Sequence, residues 1–254
     1  MRRPRGWRLP PGRLGRRNGL AALALAVVLA CFCTARETHK NDGQGSGPRQ
    51  DSGESRSTGG RGAQRAEISF APGRVARVED GDTIALSDGR TVRYLGVDSP
   101  ERDEPFHDEA AAANRRLVEG SQVELRAGGR DAADDYGRVL AIVTTGGGAV
   151  CVNVALVREG LASVYIVDPE AIRRDFLNEL LRAQGLAISE RRGLWGRVLE
   201  TARNLREPIV ATRLRIHRRS CPDSSRARPV PVMSLEEELK RGKSLCRSCR
   251  PLRN

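Results

Sequence analysis

From Gly73 to Val152 the apolar residues come in runs of only a few, separated by turn-forming dipeptides, and this spacing restricts the segment to short strands. Ile84-Ala85-Leu86 and Thr91-Val92-Arg93-Tyr94-Leu95 are β-prone and joined through Ser87-Asp88-Gly89-Arg90, a hairpin signal. Val123-Glu124-Leu125 and Val139-Leu140-Ala141-Ile142-Val143 read as further strands, and Gly146-Gly147-Gly148 turns the chain towards Val150-Cys151-Val152. Helical patterns interrupt and follow them. An Ala-rich stretch after Pro105 runs to Val118, and Asn153 is placed to cap a short helix ending near Gly160. Pro169 opens a longer amphipathic helix with Ile172, Phe176, Leu180 and Ala187 on one face. Short strands with helices gathered at one end suit a mainly β, α+β domain in the form of a small closed barrel.

The turns between these strands carry unusual chemistry. Asp80-Gly81-Asp82-Thr83 is followed by Arg93 and Val97-Asp98-Ser99-Pro100-Glu101, then by Asp135-Tyr136-Gly137-Arg138. Each motif alone is a common surface turn. Together they assemble what is needed to hold a divalent cation against a phosphodiester. Carboxylate oxygens suit a hard cation such as Ca²⁺, arginine forks match phosphate oxygens, and a spare carboxylate can take a proton from water.

The order of these pieces is also a family pattern. With Asn153 to Ala162 and Arg192-Gly193-Leu194-Trp195, they make the segment from about Val75 to Trp195 resemble the thermonuclease (staphylococcal-nuclease-like) family. The resemblance implies an OB-type five-stranded barrel with about three helices. It also implies metal-dependent cleavage of DNA and RNA with little sequence preference. Asp82, Asp98 and the carbonyl of Ser99 would ligate Ca²⁺, Glu101 would act as general base, and Arg93 and Arg138 would neutralise the phosphate. Tyr136 either touches a terminal phosphate or packs, and Tyr165 fits a position lining the nucleotide pocket, where Val167 replaces a second tyrosine. Asp134 and Asp135 stand where the family's type member has a lysine beside its tyrosine, which weakens phosphate grip there. Asp80 is expected to tie down its turn, His107 to be a surface residue, and Cys151 to be a small buried hydrophobe.

Charge divides the chain. Residues 1–66 sum to +9, residues 67–200 to −6 and residues 201–254 to +9, so the basicity lies in the flanks of an acidic central domain. Residues 1–35 read as an export signal, with early arginines before an apolar run from Gly19 to Cys33 that is short for a bilayer span. Val28-Leu29-Ala30-Cys31 resembles a lipoprotein signal, which would anchor the chain to a membrane through a lipidated Cys31; cleavage after Ala35 is the competing reading. Residues 36–66 are polar and read as a disordered tether with a reach of roughly 30 Å. Residues 67–200 form the barrel domain. The chain is thus expected to be exported, as a cell-envelope lipoprotein or a secreted protein.

Residues 201–254 read as a second unit. His217-x3-Cys221 and Cys246-x2-Cys249 frame a 24-residue spacer, the arrangement by which a small chain builds a tetrahedral Zn²⁺ site. Pairing of Cys246 with Cys249 in a disulfide is the alternative in an oxidising space. The segment resembles the zinc domain of Ada-type DNA repair proteins, on the run Gly242 to Pro251. There the first ligand is a Cys that accepts a methyl group; here it is His217, so repair chemistry is not expected. Basic residues including Arg213, Arg215, Arg218, Arg219, Arg247 and Arg250 supply phosphate contacts for a structural zinc module. The expectation is a monomeric nuclease with no protein partner. A non-catalytic OB-type nucleic-acid binder, or a surface adaptor docking a protein through the zinc module, are the alternatives.

Overall fold

The computed structural model describes residues 69–225 and 229–253. The expected signal, Cys31, the tether, Arg226 and Arg228 lie outside the described residues. β1 (Ser69–Val78), β2 (Thr83–Leu86) and β3 (Thr91–Tyr94) form an antiparallel meander. The β2–β3 turn lies at the expected Ser87–Arg90, with Gly89 at φ 90°. β4 (Val97–Asp98) carries the second acid motif, and α1 (His107–Val118) follows. β5 (Gln122–Arg126) returns along β1, β6 (Val139–Thr145) pairs with β5, and β7 (Val150–Cys151) with β6. β6 also lies parallel to β3, matching Arg93 with Leu140, and this pairing closes a five-stranded barrel in the order β1-β2-β3-β6-β5.

Barrel closure follows from which residues must leave water. Val75, Ile84, Val92, Tyr94, Leu125 and Val143 are fully buried inside it, each aliphatic side chain stabilising the fold by about 1.5–3 kcal/mol. α2 (Val152–Arg158), β8 (Ser163–Val164), which pairs with β4, and α3 (Arg174–Ser189) add side chains to the barrel's core, and α4 (Leu194–Ala202) follows.

Two local expectations are corrected. Asn153 does not cap α2; position 151 precedes the helix and no side chain caps it. The Asn153 carboxamide turns inward, donating to the carbonyls of Leu95 (3.0 Å) and Ala141 (3.2 Å) and accepting from Val143 N–H (2.9 Å). Buried backbone groups of the barrel require those partners. The long helix begins at Arg174, not after Pro169, because the preceding residues pair with the 128–130 segment: Arg130 N–H donates to Ala171 O and Arg173 N–H to Gly128 O. Phe176, Leu180, Ala183 and Ala187 are its buried face, and Ile172 packs from outside the helix.

Two family segments are explained by one backbone contact. Leu194 N–H donates to Gly160 O (2.9 Å). A Cβ at Gly193 would lie 2.2 Å from that oxygen, and one at Gly160 would lie 2.3 Å from Arg192 O. Both glycines also have positive φ, so each position is restricted to glycine on two grounds.

The C-terminal residues build a small sheet with strand order β11-β9-β10-β12, from β9 (Ile209–Ala211), β10 (Arg215–Arg218), β11 (Val230–Pro231) and β12 (Ser244–Leu245). α5 (Pro222–Ser225) and α6 (Leu235–Lys240) complete it, the latter capped by the Ser234 side chain, which accepts from Glu237 N–H. This sheet is not a bead on a linker. Ile216, Leu235 and Leu239 share one hydrophobic cluster with Ala187 and Ile188 of α3 and with Trp195 and Leu199 of α4. Gln184 on α3 reinforces the junction, donating to Leu239 O and accepting from Val164 N–H, each at 2.6 Å.

Candidate active site and metal cluster

The three acid and arginine motifs converge on a polar pocket of about 130 Å³ lined by Asp80, Asp82, Arg93, Asp98, Glu101 and Arg138, together with Ser99, His107 and Arg247. The topology does this in two steps. The β1–β2 turn brings Asp82 beside β4, where Ser99 N–H donates to Asp82 Oδ2 (2.6 Å). The parallel β3–β6 closure then brings Arg138, the residue before β6, alongside the strand that carries Arg93. Gly81 permits the tight fit: a Cβ there would lie 2.5 Å from Ser99 Cβ and 2.8 Å from Ala110 Cβ.

The two expected metal carboxylates are held by one guanidinium. Arg93 Nη2 lies 3.1 Å from both Asp82 Oδ2 and Asp98 Oδ1, while its other nitrogen donates to the carbonyls of Tyr94 and Val97. Asp82 is buried, and its second oxygen accepts from Thr83 Oγ1 (3.0 Å). Burial, opposed by Arg93 and aided by the charges of Asp80 and Asp98, pushes its carboxyl up to about 7. Asp80 ties the turn as expected, accepting from Asp82 N–H at 3.0 Å. The donor set fits a hard cation: the buried Asp82 carboxylate and that of Asp98 line one polar pocket, with more carboxylates than guanidinium groups around it. Ser99 lines the same pocket.

Arg138 is clamped by Asp134, with Nε to Oδ2 at 2.7 Å and Nη2 to the same oxygen at 2.6 Å. The acidic residue at this position thus orients Arg138 itself. Although burial works against it, the Arg138 and Tyr136 donors hold the Asp134 carboxyl below the usual range. Tyr136 is 85% exposed and its ring stands 5.4 Å from the Arg138 guanidinium. Glu101 is exposed at the pocket rim, where its loop is pinned by Glu101 N–H donating to Glu104 (3.1 Å). His107 is not the surface residue expected. It is half-buried and lines the pocket, with Nδ1–H donating to Pro100 O (2.9 Å), an oxygen that can only accept. Cys151 is half-buried against the barrel core.

Sequence reasoning missed the residue that joins the two units here. Arg247 enters the pocket from the C-terminal sheet, pairing with Asp98 through both its Nη2, to Oδ1, and its Nε, to Oδ2 (3.1 Å), and lying 3.6 Å from Glu101 Oε1. Its guanidinium also stands 4.9 Å from the ring centroid of Tyr165, and that of Arg215 stands 4.1 Å from it. The Tyr165 ring is thus covered by Arg215 and Arg247. Arg250 and Arg253 fasten the same edge to Asp103 (3.0 and 2.8 Å).

Behind Arg247 the expected soft-metal ligands come together. One ligand atom from each of His217, Cys221, Cys246 and Cys249 lies within 4.8 Å of every other, and none of the three thiols is in a disulfide. His217 Nδ1 is buried without a hydrogen-bond partner, while Nε2 sits 3.4 Å from Thr212 Oγ1, leaving Nδ1 as the orphan that a metal would satisfy. Burial holds the imidazole neutral by lowering its pKa. Burial also pushes the Cys249 thiol up to about 12; at Cys246 it is outweighed by the N–H groups of Cys249 and Ser248, which hold that thiol below its ordinary value. Arg218 N–H donates to Cys249 Sγ (3.3 Å), and the Arg218 side chain reaches Arg250 O; Arg219 is exposed.

Comparison with known proteins decides the family. Residues 91–197 match the family model described as staphylococcal nuclease homologue. An uncharacterized endonuclease of Escherichia coli is 36% identical over 126 residues, and the match covers 76% of that protein and 48% of this chain. The chain belongs to the staphylococcal nuclease homologue family. With that membership it is placed among the nucleases, which are phosphodiester hydrolases. Two relatives from Bacillus subtilis (strain 168) extend the comparison. Endonuclease YncB is 28% identical over 196 residues, covering 70% of this chain and 90% of that protein. The SPbeta prophage-derived endonuclease YokF is 33% identical over 131 residues, of which it is longer: the match covers 48% of this chain and 43% of YokF. The staphylococcal nuclease homologue match begins at the strand bearing Arg93 and ends within α4, so it contains Asp98, Glu101 and Arg138 and stops short of the Cys/His cluster.

Proposed function

We propose that this chain is an exported, Ca²⁺-dependent endonuclease that hydrolyses phosphodiesters of DNA and RNA with little regard to sequence. The observation that carries the reading is the convergence of Asp82, Asp98, Glu101, Arg93 and Arg138 on one pocket. Asp82 and Asp98, with the Ser99 carbonyl, would hold the cation, which when bound supplies positive charge beside a non-bridging phosphate oxygen. With a cation held there, Arg93 would be less tightly engaged by the two carboxylates it now bridges. Arg93 and Arg138 then donate to the phosphate oxygens as negative charge builds on them. Glu101, exposed at the rim, takes a proton from water; the water oxygen bonds to phosphorus and the bond to the 5′ oxygen breaks, that oxygen taking a proton from solvent to leave as the 5′ hydroxyl of one product while the other keeps a 3′-phosphate. Readout through phosphate and not base edges accounts for indifference to sequence.

His217, Cys221, Cys246 and Cys249 would hold a structural Zn²⁺, favoured by the orphaned His217 Nδ1. The basic C-terminal segment, with Arg218 and Arg219, adds phosphate contacts. Export, and tethering through Cys31, rest on the N-terminal sequence. Among the described residues no helix is long and apolar enough to cross a membrane.

Degradation of single-stranded DNA by the purified chain, with Ca²⁺ and with EGTA, beside Glu101→Ala, tests the reading. The expected result is cleavage that needs both calcium and Glu101, with the variant slower by about 10²–10⁴-fold. Salt-sensitive binding with no cleavage in either protein would make the chain a non-catalytic OB-type binder instead.

A further inference from the structure

Arg247 lies in the turn between Cys246 and Cys249, so its backbone is placed by the Cys/His cluster, 149 residues from the carboxylate it grips. That carboxylate belongs to Asp98, an expected metal ligand. A guanidinium engaging both oxygens of Asp98 and a divalent cation cannot share them fully. When a cation takes Asp98, at least one N–H of Arg247 is released at the rim of the same pocket. A fork that fits a carboxylate fits a phosphate equally well. The released group cannot retreat far, because the Tyr165 ring at 4.9 Å and the Asp103 links to Arg250 and Arg253 hold this edge against the barrel.

The surroundings favour a substrate role over a purely structural one. Four carboxylates line the pocket, Asp80, Asp82, Asp98 and Glu101, against the guanidinium groups of Arg93, Arg138 and Arg247. Arg138 is already balanced by Asp134. From the pocket a larger cleft of about 740 Å³ opens along the seam between barrel and C-terminal sheet. Arg247, Asp98 and Glu101 line both cavities, and Arg197, Lys243 and Leu252 are further along the cleft wall. Arg247 therefore stands where a strand leaving the catalytic pocket passes into the cleft, with its side chain half exposed.

We infer that Arg247 is a third phosphate-binding arginine of the nuclease site, supplied by the Cys/His module, and that it exchanges Asp98 for a substrate phosphate when the cation binds. The site is composite: the barrel alone carries two of its three guanidinium groups. This inference rests on the nuclease reading above.

The test uses the full chain, zinc-loaded, with Arg247→Ala and Arg247→Lys. Binding of a short oligothymidylate in the presence of Ca²⁺ is measured in a Glu101→Ala background, where no cleavage intervenes. Arg247→Ala is expected to weaken it at least 10-fold, with Arg247→Lys recovering part of the loss. Calcium titrated alone should bind Arg247→Ala as tightly as the parent or more tightly, since an internal competitor has gone. With Glu101 restored, kcat/KM should fall 10- to 1,000-fold, mostly through KM. Unchanged oligonucleotide binding and turnover would overturn the inference, as would faster turnover, which would make Arg247 an internal block. Weaker calcium binding would also overturn it, leaving Arg247 as a support for Asp98. If the parent chain cleaves nothing, the nuclease reading fails, and the binding comparison still reports on Arg247 by itself. Zinc content and melting temperature matching the parent separate these outcomes from misfolding.

Discussion

Asn114 donates its side-chain N–H to the main-chain oxygen of Asp80 at 2.9 Å, and its carbonyl accepts from the Tyr94 hydroxyl at 2.7 Å. Tyr94 and Asn114 are removed from water, and burial raises the Tyr94 pKa beyond any working pH. The first acid turn is thereby fixed to α1 from behind. Asn114→Ala leaves the buried Tyr94 hydroxyl and the half-buried Asp80 carbonyl without this partner, so it should cost roughly 2–4 kcal/mol of stability. It should also loosen the Asp80–Asp82 turn and weaken calcium binding by about 10-fold or more. Denaturant unfolding and calcium titration of the same variant check both.

Glycine substitutions should divide by site. Gly193→Ala forces a methyl group into Gly160 O and should leave little soluble protein, or cost about 3 kcal/mol or more. Gly185→Ala, on α3, meets nothing within 4 Å and should stabilise by about 0.5–1 kcal/mol. Melting temperatures of the pair give the comparison.

Asp82 predicts a pH dependence of unusual sign. Its carboxyl titrates near 7 in the folded metal-free chain against an ordinary 3.8, so the native state holds a proton that the unfolded state has lost. That contribution to stability is complete below the ordinary carboxylate range and disappears as pH rises through about 7. In EGTA the melting temperature should fall between pH 5 and pH 8; Asp82→Asn should flatten the slope, and calcium should raise the pH 8 value most. Calcium should also bind more weakly at pH 6 than at pH 8, because the cation displaces that proton.

Removing a metal held by the Cys/His cluster should unfold more than the C-terminal sheet. His217→Ala, or a strong zinc chelator, should abolish one equivalent of zinc binding and lower the melting temperature of the whole described unit. Ile216, Leu235 and Leu239 contribute to the same cluster as Trp195. Tryptophan fluorescence followed during chelation would report the coupling directly.

The strands, the hairpin at Ser87–Arg90 and the acid motifs are legible in the sequence because each is local: a period of two, a turn dipeptide, a short spacing. The mixed closure of β3 on β6 is a long-range pairing that leaves no local mark, and it is the resemblance to a family that supplies the barrel. Asn153 shows how local signals mislead. It occupies a plausible capping position, but the buried carbonyls of Leu95 and Ala141 outbid the helix terminus for its carboxamide. Arg247 was one basic residue among many in a basic tail. Its place against Asp98 depends on how two remote segments pack, which no spacing along the chain encodes. Asp134 has the same lesson in reverse, since an acidic residue that dilutes phosphate attraction also orients Arg138.

The cluster that joins α3 and α4 to the C-terminal sheet limits how this architecture can be inherited. Trp195, Ile188 and Leu199 are nearly or fully buried in one cluster with Ile216, Leu235 and Leu239 of the sheet. A barrel that lost the appendage in one step would expose that apolar surface and be prone to self-association. A shortened relative that keeps apolar residues at those positions is therefore expected to cover them in another way, by self-association through that face or by a different C-terminal segment.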